Sequence, residues 1–218
     1  ITALASEQFA REGKKLHTFS LDYEDNQKYF HATKFQPNAD ADYVEEMVQA
    51  IHSEHHRIVL RPQDVADALY AAVDARDLPG MADVDSSLLL FCKEIRRHVK
   101  VALSGECADE LFGGYPWYRD PQVRMRYGFP WSQTTDHRSS FLKEEWLTGV
   151  DANAYVPQWY EQTLKETDLV TDIDAQERRL REMTMLNMQW FMQTLLDRKD
   201  RMSMYASLEV RVPFCDVR

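Results

Sequence analysis

Most of the side chains that could do chemistry fall in one short stretch, residues 101–115, reading V-A-L-S-G-E-C-A-D-E-L-F-G-G-Y. Val101 to Leu103 is apolar enough for a strand. Ser104 and Gly105 then turn the chain where a parallel strand meets its loop, the carboxyl edge at which open α/β sheets bind ligands. Gly105 lets the backbone approach a ligand closely, and the amides that follow would face an anion if a helix starts there. Three acids come next: Glu106, Asp109 and Glu110. If a helical turn runs through 106–109, Glu106 and Asp109 share a face. Two carboxylates facing a nucleotide suit Mg²⁺, a hard cation that prefers oxygen ligands and phosphate; alternatively, one serves as a base and the other as a metal ligand. Acids in a first helical turn also complement the helix dipole without doing any chemistry. Clustering of Gly105, Gly113 and Gly114, three of only seven glycines, weighs toward a site.

A second stretch, residues 195–216, mixes alternating charges with apolar residues at the end of a long apolar helix. An arginine or lysine here would either point inward at a phosphate or sit solvated near the C-terminal dipole. Other groups invite bland readings. His52, His55 and His56 have spacing that would allow metal ligation, but a helix end with solvated histidines explains them. Trp117, Tyr118 and Trp131 would flank a channel or simply pack. Asp83, Asp85 and Ser86 would shape a site, although Asp85 is accounted for as a helix cap. Glu177 to Arg181 reads as a solvated face, and Cys107 as a small buried residue.

The elements that must position these residues alternate in the first half. A helix from Ile1 to Glu12 is stopped by Gly13, and Leu16 to Leu21 reads as a strand. Residues 22–38 show no period and read as loop. A capping box of Asp42 and Glu45 opens a helix carrying Val44, Met47, Val48, Ile51 and His55. Arg57 to Leu60 is a strand; Asp64 starts a helix with Val65, Ala68, Leu69 and Ala72 on one face. Asp85 starts another, with Leu88, Phe91, Cys92, Ile95 and Val99 at helical spacing. Strand–helix alternation predicts an α/β fold, a parallel sheet flanked by helices. From Gly113 on the strands stop, and helices are expected over residues 138–147, 153–166 and 174–196. This gives an α/β part, 1–112, and a mainly helical part, 113–218.

The balance of 26 basic against 36 acidic side chains, net −10, argues against a nucleic-acid or anionic-membrane binder, while leaving room for a local basic pocket that takes a phosphate. No apolar run exceeds six residues, Ala68 to Val73, so neither a membrane span nor a signal-peptide core is expected. Three scattered cysteines, 92, 107 and 215, fit a reducing, cytoplasmic setting rather than a disulfide framework or a zinc site. With 218 residues a core of ordinary size can form. The chain opens on Ile1 inside a helical pattern, as expected of a piece of something longer.

Ser104–Tyr115, followed by D-R-M-S-M-Y-A-S-L-E-V-R-V-P-F-C-D (200–216), resembles the synthetase domain of glutamine-dependent asparagine synthetases, as do H-T-F-S-L (17–21) and D-L-P-G-M-A-D-V-D-S-S (77–87). The resemblance runs the whole length. It implies an adenine-nucleotide α-hydrolase-like fold with a helical C-terminal extension, and a two-step reaction. Aspartate's side-chain carboxylate attacks the α-phosphorus of ATP, giving β-aspartyl-AMP and pyrophosphate; ammonia released from glutamine in an N-terminal glutaminase domain then displaces AMP. Carried over, Leu21 lines the adenine pocket, Ser104 and Gly105 contact the nucleotide, Glu106 is the acid at the reacting centre, and Asp109 holds Mg²⁺ on the pyrophosphate. Relatives place a phosphate-contacting lysine where Arg201 stands; arginine keeps the charge but changes the geometry, and Lys199 is the other candidate. The family's S-G-G-x-D-S-S pyrophosphate loop and the glutaminase domain are not in these residues, so this piece alone is expected to be inactive. A β-lactam-synthetase-like enzyme that adenylates another carboxylate, an inert nucleotide-binding fragment, and a tRNA-modifying relative, which the acidic charge disfavours, are the alternatives; a homodimer is compatible with all of them.

Overall fold

The computed structural model describes residues 1–33, 37–132, 135–167 and 172–217. In chain order the first elements are α1 (Thr2–Arg11), β1 (His17–Tyr23), α2 (Asn26–Tyr29), α3 (Asp40–Ile51), β2 (Glu54–Leu60), α4 (Pro62–Asp67), α5 (Leu69–Arg76), α6 (Ala82–His98) and β3 (Val101–Leu103). Short helices follow: α7 (Ala108–Phe112), α8 (Pro116–Arg119), α9 (Pro121–Arg124), α10 (Asp136–Ser139) and α11 (Glu144–Leu147). Then come α12 (Ala152–Glu166), α13 (Ala175–Leu186), a π turn at Asn187–Phe191, α14 (Met192–Tyr205), β4 (Glu209–Arg211) and a 3₁₀ turn at Pro213–Cys215.

The chain divides into two compact units, one of residues 1–106 with 195–218, the other of residues 107–194. The expected change of character after 112 therefore gives way to a chain that returns to the first unit at Leu195. A strand, β4, also lies beyond Gly113, where none was expected: its three residues are too few to show a period.

In the first unit both strand pairs are parallel, as the alternation predicts. They form two separate ladders, β1 with β2 and β3 with β4. The β1–β2 register sets His17 against Glu54, Leu21 against Ile58 and Tyr23 against Leu60. His55 and His56 thus belong to β2, not to the end of a helix: His52, at φ +52, ends α3, and Glu54 N–H already donates to Leu16 O at 2.9 Å. Helix α6 supplies the core. Leu89 packs with Ala72, Ala75 and Met202, while Cys92 and Ile95 pack with Leu208, bordered by Phe19, Ile58 and Val210. Burying each such aliphatic side chain contributes about 1.5–3 kcal/mol.

Two expected caps are not formed. Helix α3 starts at Asp40 behind Ala39, with no side chain capping it, so Asp42 lies inside its first turn. Helix α6 starts at Ala82, which places Asp85 inside the helix, 3% exposed. Asp85 pairs with Arg76 at 3.1 Å and accepts the Met81 N–H at 2.9 Å. A Cβ on Gly80 would overlap the Asp85 carboxylate and come within 2.6 Å of Arg76 Nη1, so glycine is needed there to let the pair close.

The second unit is aromatic-rich. Trp117 and Tyr118 pack with Met183, bordered by Trp131 and Phe191; Phe129 and Tyr160 pack with Leu186, bordered by Trp190. The expected solvated face at Glu177–Arg181 is overturned at Arg179, which is 7% exposed. Its guanidinium donates to the carbonyls of Arg124 (2.7 Å), Arg126 (2.6 Å) and Gly128 (2.9 Å), and pairs with Glu182. Tyr160 completes this network; burial, reinforced by Glu182, pushes its phenol up to about 12. One side of α13 is thus polar and buried, which a hydrophobicity pattern reads as solvent-facing.

Candidate nucleotide-binding turn

In the first unit, β3 pairs with β4 through Val101–Glu209, Ala102–Val210 and Leu103–Arg211. The ladder's last bond, Ser104 N–H to Arg211 O at 2.9 Å, fixes where the chain leaves the sheet. Residues Ser104, Gly105 and Glu106 then turn off the carboxyl end of β3, the edge expected from the sequence. Ser104 Oγ accepts the Glu106 N–H at 3.3 Å, holding the turn. A Cβ placed on Gly105 meets nothing within 4 Å, so the backbone there faces open space. Against that turn lies α14. Glu106 Oε1 is 3.9 Å from Arg198 Nη2, with the two side chains 24% and 13% exposed. Arg198 Nε is buried without a hydrogen-bond partner. Lys199 is 7% exposed and donates to Val210 O at 3.1 Å, tying α14 to β4. Burial, with Glu106 nearby, raises the Cys92 thiol to about 12, so it is protonated and inert at neutral pH.

The sequence spacing brings Glu106, Ser104 and Gly105 together here. Arg198 is a partner that the sequence pattern did not single out; its signal, a cation one position before Lys199, was present but indistinguishable among five consecutive charges, 197–201. Arg201 faces elsewhere, bonded to Asp77 at 2.6 Å and to Asp197 at 3.4 Å, with its side chain 43% exposed. Asp197 also meets Arg76 at 3.5 Å, so residues 76, 77, 85, 197 and 201 form one charged cluster where α5, α6 and α14 meet. Leu21 sits in the carboxyl half of β1, in the other ladder, half-buried. At its end, Asp22 accepts from Tyr23 N–H and Asn26 Nδ2, each at 2.8 Å, and pairs with Arg57, while Tyr23 Oη donates to Ser87 Oγ at 2.9 Å.

Asp109 lies in the second unit, exposed on the five-residue helix α7. The predicted helical face shared by Glu106 and Asp109 does not form. Glu106 is in the turn before α7, and Cys107 between them holds φ +75, left-handed and costly for a residue with a Cβ. Glu110, not Asp109, is the buried acid of α7, 1% exposed and accepting from Tyr115 Oη at 2.5 Å. Burial and this carboxylate push the Tyr115 phenol up. Gly113 ends α7 at φ +67, and the Gly114 Cα packs on the Asp109 carboxylate so closely that a Cβ would overlap it.

In the first unit, an open glycine backbone and a buried, unsatisfied guanidinium N–H suit an anionic ligand such as a nucleotide phosphate. In the second unit, taken by itself, the exposed Asp109 carboxylate offers the oxygen donors that a hard cation such as Mg²⁺ prefers. The broad concavity of the first unit, about 690 Å³ and lined by Arg57, Ile58, Asp64, Ala68 and Lys93, does not include the turn.

Parallel strand pairs threaded with helices, with a serine–glycine–acid turn at a strand's carboxyl end, define a mixed α/β protein. The asparagine synthase family model matches residues 1–218, and the chain belongs to that family. It is 52% identical over 219 residues to asparagine synthetase [glutamine-hydrolyzing] 3 of Bacillus subtilis, covering all of this chain and 35% of that protein. Asparagine synthetase [glutamine-hydrolyzing] 1 of the same organism is 38% identical over 107 residues, 49% of this chain and 15% of that protein. The chain thus spans about a third of the length of the first of these relatives or less of the second. Among the described residues no helix is long and apolar enough to cross a membrane.

Proposed function

We propose that the protein carrying this chain makes asparagine from aspartate, ATP and ammonia drawn from glutamine, and that residues 1–218 form part of its ATP-binding synthetase domain, of the adenine-nucleotide α-hydrolase type. The observation that carries this reading is the Ser104–Gly105–Glu106 turn, open above Gly105 and backed by Arg198, in a chain of this family. In this reading the Ser104 and Gly105 backbone approaches the nucleotide, and Leu21, near the end of β1 in the other ladder, borders the adenine. Glu106 acts at the reacting centre. Its carboxylate takes the proton that ammonia sheds as its nitrogen attacks the acyl carbon of β-aspartyl-AMP and AMP departs. Arg198, 3.9 Å from it, aims that carboxylate, the positioning on which general-base catalysis depends. Asp109 would hold Mg²⁺, which when bound neutralises charge on the departing pyrophosphate. Arg201 is the proposed phosphate contact; reaching a phosphate requires it to exchange its Asp77 bond for that ligand. An N-terminal glutaminase domain in the remainder of the protein would supply the ammonia, and three cysteines, none of them in a disulfide, accord with a cytoplasmic enzyme.

The test is Glu106→Gln in the intact protein. The exchange removes the base while keeping the shape, so asparagine formation falls by roughly 10²–10⁴-fold while the unfolding midpoint stays within experimental scatter. An unchanged rate would remove Glu106 from the chemistry.

A further inference from the structure

At the start of β1 and β2, three side chains of different origin converge. His17 and Glu54 are register partners, and His56 is two residues further along β2 on the same face. His17 Nδ1 lies 2.9 Å from His56 Nε2, while Glu54 Oε1 lies 3.7 Å from the first and 3.9 Å from the second. A point equidistant from three atoms with those separations lies about 2.1 Å from each, the bond length of zinc to imidazole nitrogen or carboxylate oxygen. We propose that His17, Glu54 and His56 bind a borderline-soft divalent transition-metal ion, of which Zn²⁺ is the representative, at the amino-terminal edge of the β1–β2 ladder.

Three further observations support the site. The two imidazole nitrogens are already within hydrogen-bond distance, so at most one proton stands between them. On metal binding, the ring carrying that proton moves it to its other nitrogen, both lone pairs turn to the ion, and no net proton need be released. The His56 ring is held by its neighbours: stacked on Phe19 at 4.9 Å and on His17 at 5.2 Å, with the His98 ring 4.1 Å away. A ligand fixed by packing loses little entropy on binding. Finally, the ligands come from adjacent strands whose register is pinned by seven residue pairs, so the metal would clip together the start of the ladder. Two imidazoles and one carboxylate select zinc, nickel or cobalt over magnesium or calcium, which prefer all-oxygen sets. The exposed side of the triad, with His17 37% and Glu54 55% exposed at the side chain, leaves a coordination position for water.

The experiment is calorimetric titration of the intact protein with Zn²⁺ in excess Mg²⁺, repeated with Co²⁺ for its visible spectrum. Wild type is expected to bind one more Zn²⁺ with micromolar affinity than either His17→Gln or Glu54→Gln, two partly exposed positions chosen because a His56 variant disturbs packing. His55→Gln, on the opposite face, is expected to bind as wild type does. The wild-type Co²⁺ adduct is expected to show visible bands that the His17 and Glu54 variants lack, and saturating Zn²⁺ to raise the wild-type Tm by about 5 °C. Equal zinc stoichiometry and affinity in wild type and the His17 and Glu54 variants would overturn the proposal, as would a zinc equivalent lost in His55→Gln but kept in the other two.

Discussion

Asp22 shows how a single buried charge is made tolerable. Burial by itself would raise its pKa, but the Arg57 guanidinium, the Tyr23 N–H and the Asn26 amide outweigh it and hold the carboxyl below its ordinary value. A depressed carboxylate contributes stability that is full above the unfolded value, near pH 4, and that drains away as pH falls through the folded one. Asp22→Asn is therefore expected to cost about 2 kcal/mol at pH 7, with the gap to wild type starting to narrow below about pH 4 and closing as pH falls through the lower folded value; urea midpoints measured from pH 7 down to about pH 2 check this. Pairing of charges also marks the Ser104–Glu106 turn. The turn that carries Glu106 was legible from its place after a strand and a glycine. Arg198 was not, because in D-R-K-D-R every position is charged, and only the helix rotation decides which cation meets the acid. Arg201 illustrates the converse: its charge was visible, but its partner Asp77 is 124 residues away in sequence.

At the scale of elements, apolar periodicity located α6, and Cys92 and Ile95 of its expected face are buried, but Leu88 and Phe91 are only partly so and the fully buried Leu89 lay outside that face. It was blind where polar groups are buried. The solvated face predicted around Arg179 is instead a hub: three backbone carbonyls from residues 124–128 and a carboxylate converge on one guanidinium. This tethers α9 and the turn after it to α13. Arg179→Met removes those bonds and leaves the Glu182 carboxylate buried beside Tyr160. The expected loss is about 3–5 kcal/mol, seen as an early unfolding step confined to residues 107–194 by hydrogen exchange; uniform protection in the variant would contradict it. The misplaced caps have a similar cause. Asp85 resembles a cap in sequence, yet Gly80 lets Arg76 and the Met81 N–H reach it one turn inside α6. The short β4 was hidden by its length, and Cys107's left-handed backbone, which breaks the predicted face of Glu106 and Asp109, has no signature in side-chain type.

For the molecule as a whole, a chain of net charge −10 concentrates its functional promise in a few residues at one strand end, and family membership extends over every residue of it. The Ser104–Glu106 turn is proposed to belong to an enzyme that activates aspartate with ATP. The most direct measurement is pyrophosphate release by the intact protein with ATP and Mg²⁺, with and without aspartate, ammonia being supplied as an ammonium salt. Release is expected to require aspartate, with one pyrophosphate and one AMP per asparagine formed. Release of phosphate and ADP instead, or pyrophosphate release indifferent to aspartate, would contradict it.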